Sequence, residues 1–355
     1  MTIERTIYDT STLLGVLRND EEMQPPASYW RDLCFPNQVN FTDEFIDFGR
    51  LSDHRKIAPL VVPTAQGKPI YSAAEARERI KPAYVKPKDP VTASTMMRRR
   101  PGLNELEPNN ALTPQARYNL IVGEILRQHR FAIERRWEWL AAKAIIDGQV
   151  VLEDEAYPRT IVDFGRSPDH DVVLGAGNRW GDAGVSIIDN LGRWRTIARR
   201  TPFGGPVGRM TIGGEVWEVM RKDPEINDRM DTQIRRAGET TLNLGIREAA
   251  GTDIEIVGRL DGVLDVVIYS DYYDDGAGNI VDMMDPREMV LTGNNVDGVQ
   301  CFGAIQDINA QFQALSIFPK MWPEQDPSAT YIMSQSAPLM VPRRINNTFR
   351  ARPIG

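Results

Sequence analysis

The 355-residue sequence has few of the residues that most often carry chemistry. It contains two cysteines, Cys34 and Cys301, which excludes a disulfide framework and a multi-cysteine zinc site. Its three histidines leave little room for histidine-based catalysis. No uncharged apolar run approaches the roughly 18 residues of a membrane span, and the N-terminal MTIERTIYDT lacks the apolar core of a signal peptide. We therefore expect a soluble chain from a reducing compartment, without a membrane partner.

Nucleotide-binding and hydrolase motifs are also missing, since the chain has no GxxxxGK[ST], GxGxxG, GxSxG or HExxH. Residues 271–282 have the acidic spacing of a calcium loop, but Tyr273 and Asp282 replace expected ligands, so a hairpin turn is predicted. His129 is predicted to be solvated on a helix and His170 to be solvated in a loop. Both cysteines are predicted to be small buried apolar residues. The sequence predicts no catalytic residue, no metal site and no cofactor.

The formal net charge of −7 is distributed unevenly along the chain. The net charges are −6 for residues 1–54, +8 for 55–100, 0 for 101–150, −2 for 151–250, −11 for 251–330 and +4 for 331–355. Such blocks are found on ordinary solvated faces, and also where segments of opposite charge meet across copies of one protein. Both interpretations stay open here, whereas a domain that binds nucleic acid throughout would be basic overall.

The sequence of residues 41–92 predicts an extended segment that has little hydrophobic core of its own. Strand-like residues 56–70 are broken by Pro59 and Pro63, 72–80 have a short helical pattern, and 82–90 contain three prolines. Proline restricts such a segment to a sheet edge or an irregular ribbon. Because a two-stranded piece is seldom stable alone, we expect it to lie on another subunit. The apolar arm before it is expected to pack on the chain or on a neighbour.

A long helix is the clearest predicted element. Thr113 fits the N-cap, Pro114 the first helical position and Gly148 the C′ position, with apolar residues recurring at helical spacing between them. The predicted helix, 114–147, would be roughly 50 Å long. That length indicates an elongated spine.

The remainder predicts an α+β chain. A β-hairpin is predicted after the spine, followed by loop-rich stretches at 175–184 and 201–214. A second helix is predicted to start near Glu215 and to be ended or kinked by Pro224. Further strands are predicted beyond it, of which the apolar residues 263–269 would be central.

Two basic clusters stand out. One is Arg98, Arg99 and Arg100, and the other includes Arg199 and Arg200. These arginines could contact phosphates or the carboxylates of a neighbouring subunit. The alternative is that they only keep the surface soluble.

Eight segments, in order, resemble the lambda-type tailed-phage major capsid protein family, the phage capsid E family. They are AYVKPK (83–88), MMRRRP (96–101), VDFGRSPDHDV (162–172), MDT (230–232), VVIYS (266–270), MVLTGN (289–294), GAIQDINAQ (303–311) and FPKMWPEQDPSATYIMSQSAPLM (318–340). The last group is the most specific. The resemblance covers most of the chain from about residue 41 onward and is weak before it.

The resemblance implies the Hong Kong 97 phage capsid fold. It assigns 1–40 to an N-terminal arm, 41–92 to an extended E-loop, 93–185 and 312–342 to a P-domain containing the spine helix 114–147, and 186–311 and 343–355 to an A-domain. It also implies a late structural protein that self-assembles into hexamers and pentamers of an icosahedral phage head around double-stranded DNA. An encapsulin-like nanocompartment and a soluble carboxylate-based enzyme are the alternatives.

The resemblance implies further partners: the portal, a scaffold and, in many members, a decoration protein at the three-fold axes. The protein would reside in the virion after assembly in the host cytoplasm. Tyr84, Lys86 and Lys88 would be E-loop contacts between subunits, while Arg98, Arg99, Arg100, Arg199 and Arg200 would face a neighbour or the DNA. We expect Lys86→Glu with Lys88→Glu to impair assembly. The lambda-type family lacks covalent cross-links, so none is expected.

Overall fold

The structure is a computed structural model. It describes residues 8, 10, 12–14, 28–43, 45–49, 77–92, 94–95, 113–154, 157–231, 233–234, 242–243, 247–248, 254–276, 278–310, 315–326 and 329–355. Arg98, Arg99, Arg100 and the predicted strand at 56–70 lie outside the described residues.

The helices and strands alternate irregularly along the chain. The α-helices are α1 (Tyr29–Cys34), α2 (Pro114–Ile146), α3 (Ile187–Arg200), α4 (Gly214–Met220) and α5 (Pro224–Arg229). The strands of the first half are β1 (Asn37–Asn40), β2 (Ile46–Gly49), β3 (Arg77–Ile80), β4 (Lys88–Thr92), β5 (Gln149–Asp154), β6 (Tyr157–Asp163) and β7 (Asp171–Val173). Single 3₁₀ turns lie at Pro168–His170, Ile308–Ala310 and Ile345–Asn347.

The second half of the chain is rich in strands. They are β8 (Val207–Ile212), β9 (Met230–Asp231), β10 (Gln233–Ile234), β11 (Leu242–Asn243), β12 (Arg247–Glu248), β13 (Ile254–Leu260), β14 (Leu264–Tyr269), β15 (Tyr272–Asp274), β16 (Ile280–Asp282), β17 (Met289–Gly293), β18 (Gly298–Phe302), β19 (Phe318–Glu324), β20 (Ala329–Gln335), β21 (Pro338–Pro342) and β22 (Thr348–Arg352). This mixture of helices and mostly antiparallel strands confirms the predicted α+β class.

The predicted spine is confirmed as α2, which spans roughly 50 Å at 1.5 Å per residue. Thr113 caps its N-terminus by accepting a hydrogen bond from the Ala116 N–H at 3.2 Å. Gly148 follows the helix with φ of +69°, the left-handed conformation expected at C′. The Arg166 guanidinium then donates to the carbonyl oxygens of Ile145 and Ile146, so carbonyls at the helix end have partners.

The strands form one large sheet and several smaller ones. The large sheet has the order β12-β13-β14-β8-β17-β22-β7, with β9 also paired to β13. Three-stranded sheets have the orders β1-β18-β21 and β19-β20-β4, and two-stranded ribbons join β2 to β3, β5 to β6, β10 to β11 and β15 to β16. The β5–β6 and β15–β16 hairpins were both predicted.

The large sheet buries both of its faces. Side chains alternate along each strand, so Val290 points to one core and its neighbours Met289 and Leu291 point to the other. The Val290 face joins the core made by α1 and the second half of α2. The Met289 face joins a core that contains Trp194 of α3. The spine and the arm therefore share one core, and the remaining helices are built on the other.

Three predictions about local structure were wrong. Residues 77–80 form β3 rather than a helix, because they pair with β2. Residues 187–200 form α3, a helix that was not predicted. Residues 207–212 form β8 within a stretch that was predicted to be loop-rich. As predicted, the second helix does not continue through Pro224: α4 ends at Met220, and Pro224 is the first residue of α5, with Asp223 as N-cap.

Candidate functional site

The base of the extended loop is attached to its own chain by two pairings. Strand β4 pairs antiparallel with β20, from Lys88 opposite Met333 to Thr92 opposite Ala329. Just before it, Val85 exchanges two backbone hydrogen bonds with Ser336, at 2.8 and 3.0 Å. The C-terminal base of the loop is therefore fixed on the β19-β20-β4 sheet, which packs against the spine helix α2.

Tyr84 and Lys86 sit next to this attachment. The half-buried Tyr84 donates its hydroxyl hydrogen to the Ala304 carbonyl at 2.6 Å. Its ring lines a groove together with Trp139 of the spine and Tyr157 of the β5–β6 hairpin. The exposed Lys86 places its ammonium 4.8 Å from the centre of the Tyr84 ring. Tyr84 is thus anchored within the chain, whereas Lys86 projects to the surface.

Lys88 is exposed like Lys86, and its ammonium also lies over aromatic rings. Its ammonium lies 4.0 Å from the ring centre of Tyr331 and 5.2 Å from that of Trp322. These two rings stack on each other at 5.8 Å, one on β20 and one on β19. The cation–π contacts hold Lys88 on its own chain and strengthen the attachment of β4.

His129 also secures the loop base, so the prediction that it is solvated was wrong. It is buried on α2, with Nε2 2.9 Å from Asp89 Oδ2 and Nδ1 3.2 Å from Ser334 Oγ. Asp89 lies on β4 and Ser334 on β20, so one imidazole links three elements.

His170 is buried as well, contrary to the prediction. Its Nδ1 donates to the Thr348 carbonyl at 2.8 Å, and its Nε2 lies 2.8 Å from Thr201 Oγ1. Burial lowers the pKa of His170. Both histidines therefore have structural roles in joining elements.

A buried carboxylate of the spine helix forms hydrogen bonds with α1 of the N-terminal arm. Glu138 accepts hydrogen bonds from the backbone N–H groups of Trp30 at 2.7 Å and Arg31 at 3.1 Å. Burial raises the pKa of Glu138 to about 7, against the opposing effect of these two bonds. On the other side of α1, the hydroxyl groups of Tyr29 and Thr211 lie 2.7 Å apart. Helix α1 thus bridges the spine and strand β8 of the large sheet.

A second buried carboxylate, that of Asp271, lies near Glu138. Asp271 receives the Arg135 guanidinium at 2.8 and 2.5 Å and the Tyr269 hydroxyl at 3.2 Å. Burial, followed by the nearby charge of Glu138, raises the pKa of Tyr269 well above its usual value. Sequence reasoning missed Glu138, which its neighbours in the chain do not distinguish, and considered Asp271 only as part of a calcium-loop spacing.

Arg199 and Arg200 lie at the C-terminal end of α3, where they face solvent with Arg193 one or two turns earlier. The opposite face of α3 buries Ile187, Leu191, Trp194 and Ala198. That spacing of four, three and four is a helical signal in the sequence. These arginines therefore lie on the exposed side of α3, which the spacing alone could have predicted.

The features of a chemical site are sparse. Cys34 and Cys301 are buried, as predicted, and burial raises the pKa of each thiol to about 12. In the described part of the chain, no three histidine, cysteine or acidic side chains are grouped to hold a metal ion. No described helix is long and apolar enough to cross a membrane.

Comparison with known proteins gives a consistent result. The sequence model of the family described as phage major capsid protein E matches residues 9–352. The chain is 27% identical over 344 residues to the major capsid protein of Enterobacteria phage P21, covering 94% of this chain and 96% of that protein. It is 26% identical over 340 residues to the major capsid protein of Escherichia phage lambda, covering 95% and 96% respectively.

A solved structure shows the same fold. A crystal structure of a prophage capsid protein from Escherichia coli CFT073 matches with a TM-score of 0.73 at 24% identity. The match covers 98% of this chain and all of that one. This match confirms the predicted capsid fold.

Proposed function

We propose, because the chain belongs to the phage major capsid protein E family, that it assembles into the hexamers and pentamers of an icosahedral phage head. The family match over residues 9–352 is the observation that carries this conclusion. The protein is a building block of the shell, and we propose that it has no catalytic activity and uses no cofactor. Its place is the virion, after assembly in the host cytoplasm.

The described structure supports a subunit that needs neighbours. Strands β2 and β3 form a ribbon of only four residue pairs, which is marginal without further packing. Between them, 27 residues (50–76) leave Gly49 and return at Arg77. We propose that this excursion is the E-loop and lies on the adjacent subunit, within the division into arm, E-loop, P-domain and A-domain predicted above.

Lys86 is the E-loop residue best placed to contact a neighbour. It is exposed, and the segment around it belongs to the +8 block, which would face acidic surface on the next subunit. Lys86→Glu should therefore reduce shell yield while leaving the circular dichroism of the monomer unchanged. Lys88 is exposed as well, and its ammonium lies over Tyr331 and Trp322 of its own chain, so Lys88→Glu should both reduce shell yield and lower the thermal midpoint.

We propose that the basic clusters meet the neighbour's carboxylates or the packaged double-stranded DNA without sequence specificity. They are Arg98, Arg99, Arg100, Arg199 and Arg200. Glutamine replacements at Arg199 and Arg200 separate the two: a loss of empty shells indicates a subunit contact, and normal shells with reduced DNA retention indicate a DNA contact. Tyr84 is proposed to act within the subunit contact by holding the loop base.

The remaining partners follow the family. We propose that a scaffold guides assembly, that a portal occupies one vertex, and that a decoration protein can bind at the three-fold axes. Each would bind a surface made by several copies, so co-purification should be tested with assembled shells rather than with the isolated chain.

The deciding experiment is expression of the full chain, followed by velocity sedimentation and negative-stain electron microscopy. Closed shells with hexameric and pentameric units support the proposal. A monomer or small oligomer with a deep pocket would favour the soluble enzyme. Shells that retain a protein cargo and no DNA when isolated from producing cells would favour the encapsulin-like compartment.

A further inference from the structure

Strand β1 presents an open sheet edge. It pairs in parallel with β18, from Asn37 opposite Val299 to Asn40 opposite Phe302. The Phe41 N–H donates to the Phe302 carbonyl at 2.8 Å, so alternate residues back from Phe41 face β18. The backbone groups of Gln38 and Asn40 therefore point away from the sheet. No described residue pairs with them, and all four residues of β1 are exposed.

Both edge strands of the β19-β20-β4 sheet carry a proline that faces away from the sheet. The Ser334 N–H donates to the Pro87 carbonyl at 3.1 Å, so Ser334 faces β4 and its partner on β19, Pro319, faces outward. On the other side Pro90 lies opposite Tyr331, whose backbone faces β19, so Pro90 faces outward too. Outward prolines deny a donor to any added strand. Strand β1 has no such proline or charge within it.

Residues 57–64 of the excursion have the composition of a strand with one usable edge. Pro59 and Pro63 are four residues apart, so in an extended chain both would remove donors from the same edge. Ala58, Leu60 and Val62 alternate with them and would present an unbroken row on the opposite edge. Such a segment can join a sheet only as its outermost strand.

The length of the excursion allows it to reach another subunit. Half of residues 50–76, in extended form, spans roughly 40 Å from the β2–β3 ribbon. We propose that residues 57–64 of a second copy add to the edge of β1 as an outer strand, with Gln38 and Asn40 supplying the backbone donors and acceptors. This rests on the proposed function, because it needs a second copy of the chain.

Gln38→Pro tests the edge directly. It removes the outward donor and leaves the groups that face β18 in place, so the thermal midpoint should change by only a few degrees. Shell yield should fall at least about tenfold, because the added strand loses one backbone hydrogen bond to β1 and clashes with the proline ring. Gln38→Ala keeps the donor and should assemble as wild type does. Equal yields for Gln38→Pro and wild type would overturn the proposal.

Disulfide trapping provides an independent measurement that does not depend on the proline variant. Variants that each add one cysteine, Gln38→Cys and Val62→Cys, are assembled together and oxidised. In a second mixture Leu60→Cys replaces Val62→Cys to test the neighbouring register. A disulfide dimer formed only in the mixtures supports the proposal, with the buried Cys34 and Cys301 remaining reduced. Bridging within one chain of a variant that carries both Gln38→Cys and Val62→Cys, or no bridging in intact shells, overturns it. Failure of wild type to form shells would overturn the proposed function instead.

Discussion

At the scale of single residues, the ionisation of Glu138 links the stability of the fold to pH. It is buried between α1 and the spine, and burial raises its pKa from 4.5 to about 7. The folded protein therefore holds this proton more tightly than the unfolded chain does. The resulting stabilisation is present in full below pH 4.5 and is lost as pH rises through about 7.

Glu138→Gln should remove this pH dependence. In wild type, the raised pKa of Glu138 should lower the free energy of unfolding by about 3 kcal/mol between pH 4.5 and 8. Glutamine cannot ionise, so the free energy of unfolding of the Glu138→Gln variant should not show this decline. Urea unfolding of both proteins across that range gives the measurement. The difference between the two curves isolates Glu138, because every other titrating group is common to both. Parallel curves would show that Glu138 keeps its ordinary pKa.

The residue scale is also where sequence-based prediction was weakest. The burial of Cys34 and Cys301 was predicted, since cysteine is commonly a buried apolar residue. The burial of His129 and His170 was not, because their partners Ser334 and Thr348 are more than 170 residues away in sequence. Contacts at such separation leave no local pattern to read.

At the scale of elements, the spine shows why terminal glycine and internal glycine differ. Gly148 has φ of +69°, and a Cβ there would lie 3.1 Å from the Arg166 side chain. Gly123 lies within the helix, and a Cβ there would meet no heavy atom within 4 Å. Alanine is strained at the first position and is a better helix former than glycine at the second.

Replacing each glycine by alanine should therefore shift stability in opposite directions. Gly148→Ala should cost about 1–2 kcal/mol, the penalty of a left-handed non-glycine residue. Gly123→Ala should gain about 0.5–1 kcal/mol through helix propensity. Thermal unfolding of the two variants beside wild type checks both signs. A stabilised Gly148→Ala protein would contradict the assignment of Gly148 as the C′ residue.

Elements with strong local signals were the ones predicted correctly. The spine had an N-cap, a proline at its first position and a terminal glycine, all of which the structure confirms. Residues 77–80 carry a helical pattern but form β3, because pairing with β2 outweighs local propensity. Helix α3 had a readable apolar spacing, and it was missed because glycine-rich stretches flank it.

At the scale of the whole molecule, the arm holds the two halves of the fold together. Helix α1 contacts the spine through Glu138 and the large sheet through Tyr29, and β1 continues onto β18. The sequence predicted that this arm would pack on something, without saying on what. Its described part packs on its own chain, so the free edge of β1 is held at a fixed place.

The shell is expected to be free of covalent cross-links. The resemblance to lambda-type capsid proteins implies this, and no reactive thiol is available, since both cysteines are buried. Mature particles boiled in detergent and run on a denaturing gel should give one band at 40 kDa. A ladder of multiples of that mass would contradict the prediction.

Shell assembly should weaken as salt is added, because blocks of opposite charge lie on one chain. Residues 55–100 carry +8 and residues 251–330 carry −11, and copies that meet through them attract each other before contact. The Debye length falls from about 14 Å at 0.05 M to about 4 Å at 0.5 M salt, so this steering is screened. Light scattering should show assembly slowing by about tenfold over that range. Lys86→Glu should make the assembly rate depend less on salt concentration, since it removes one of the attracting charges. A rate that is constant or rises with sodium chloride would show that apolar contact, rather than charge, brings the subunits together.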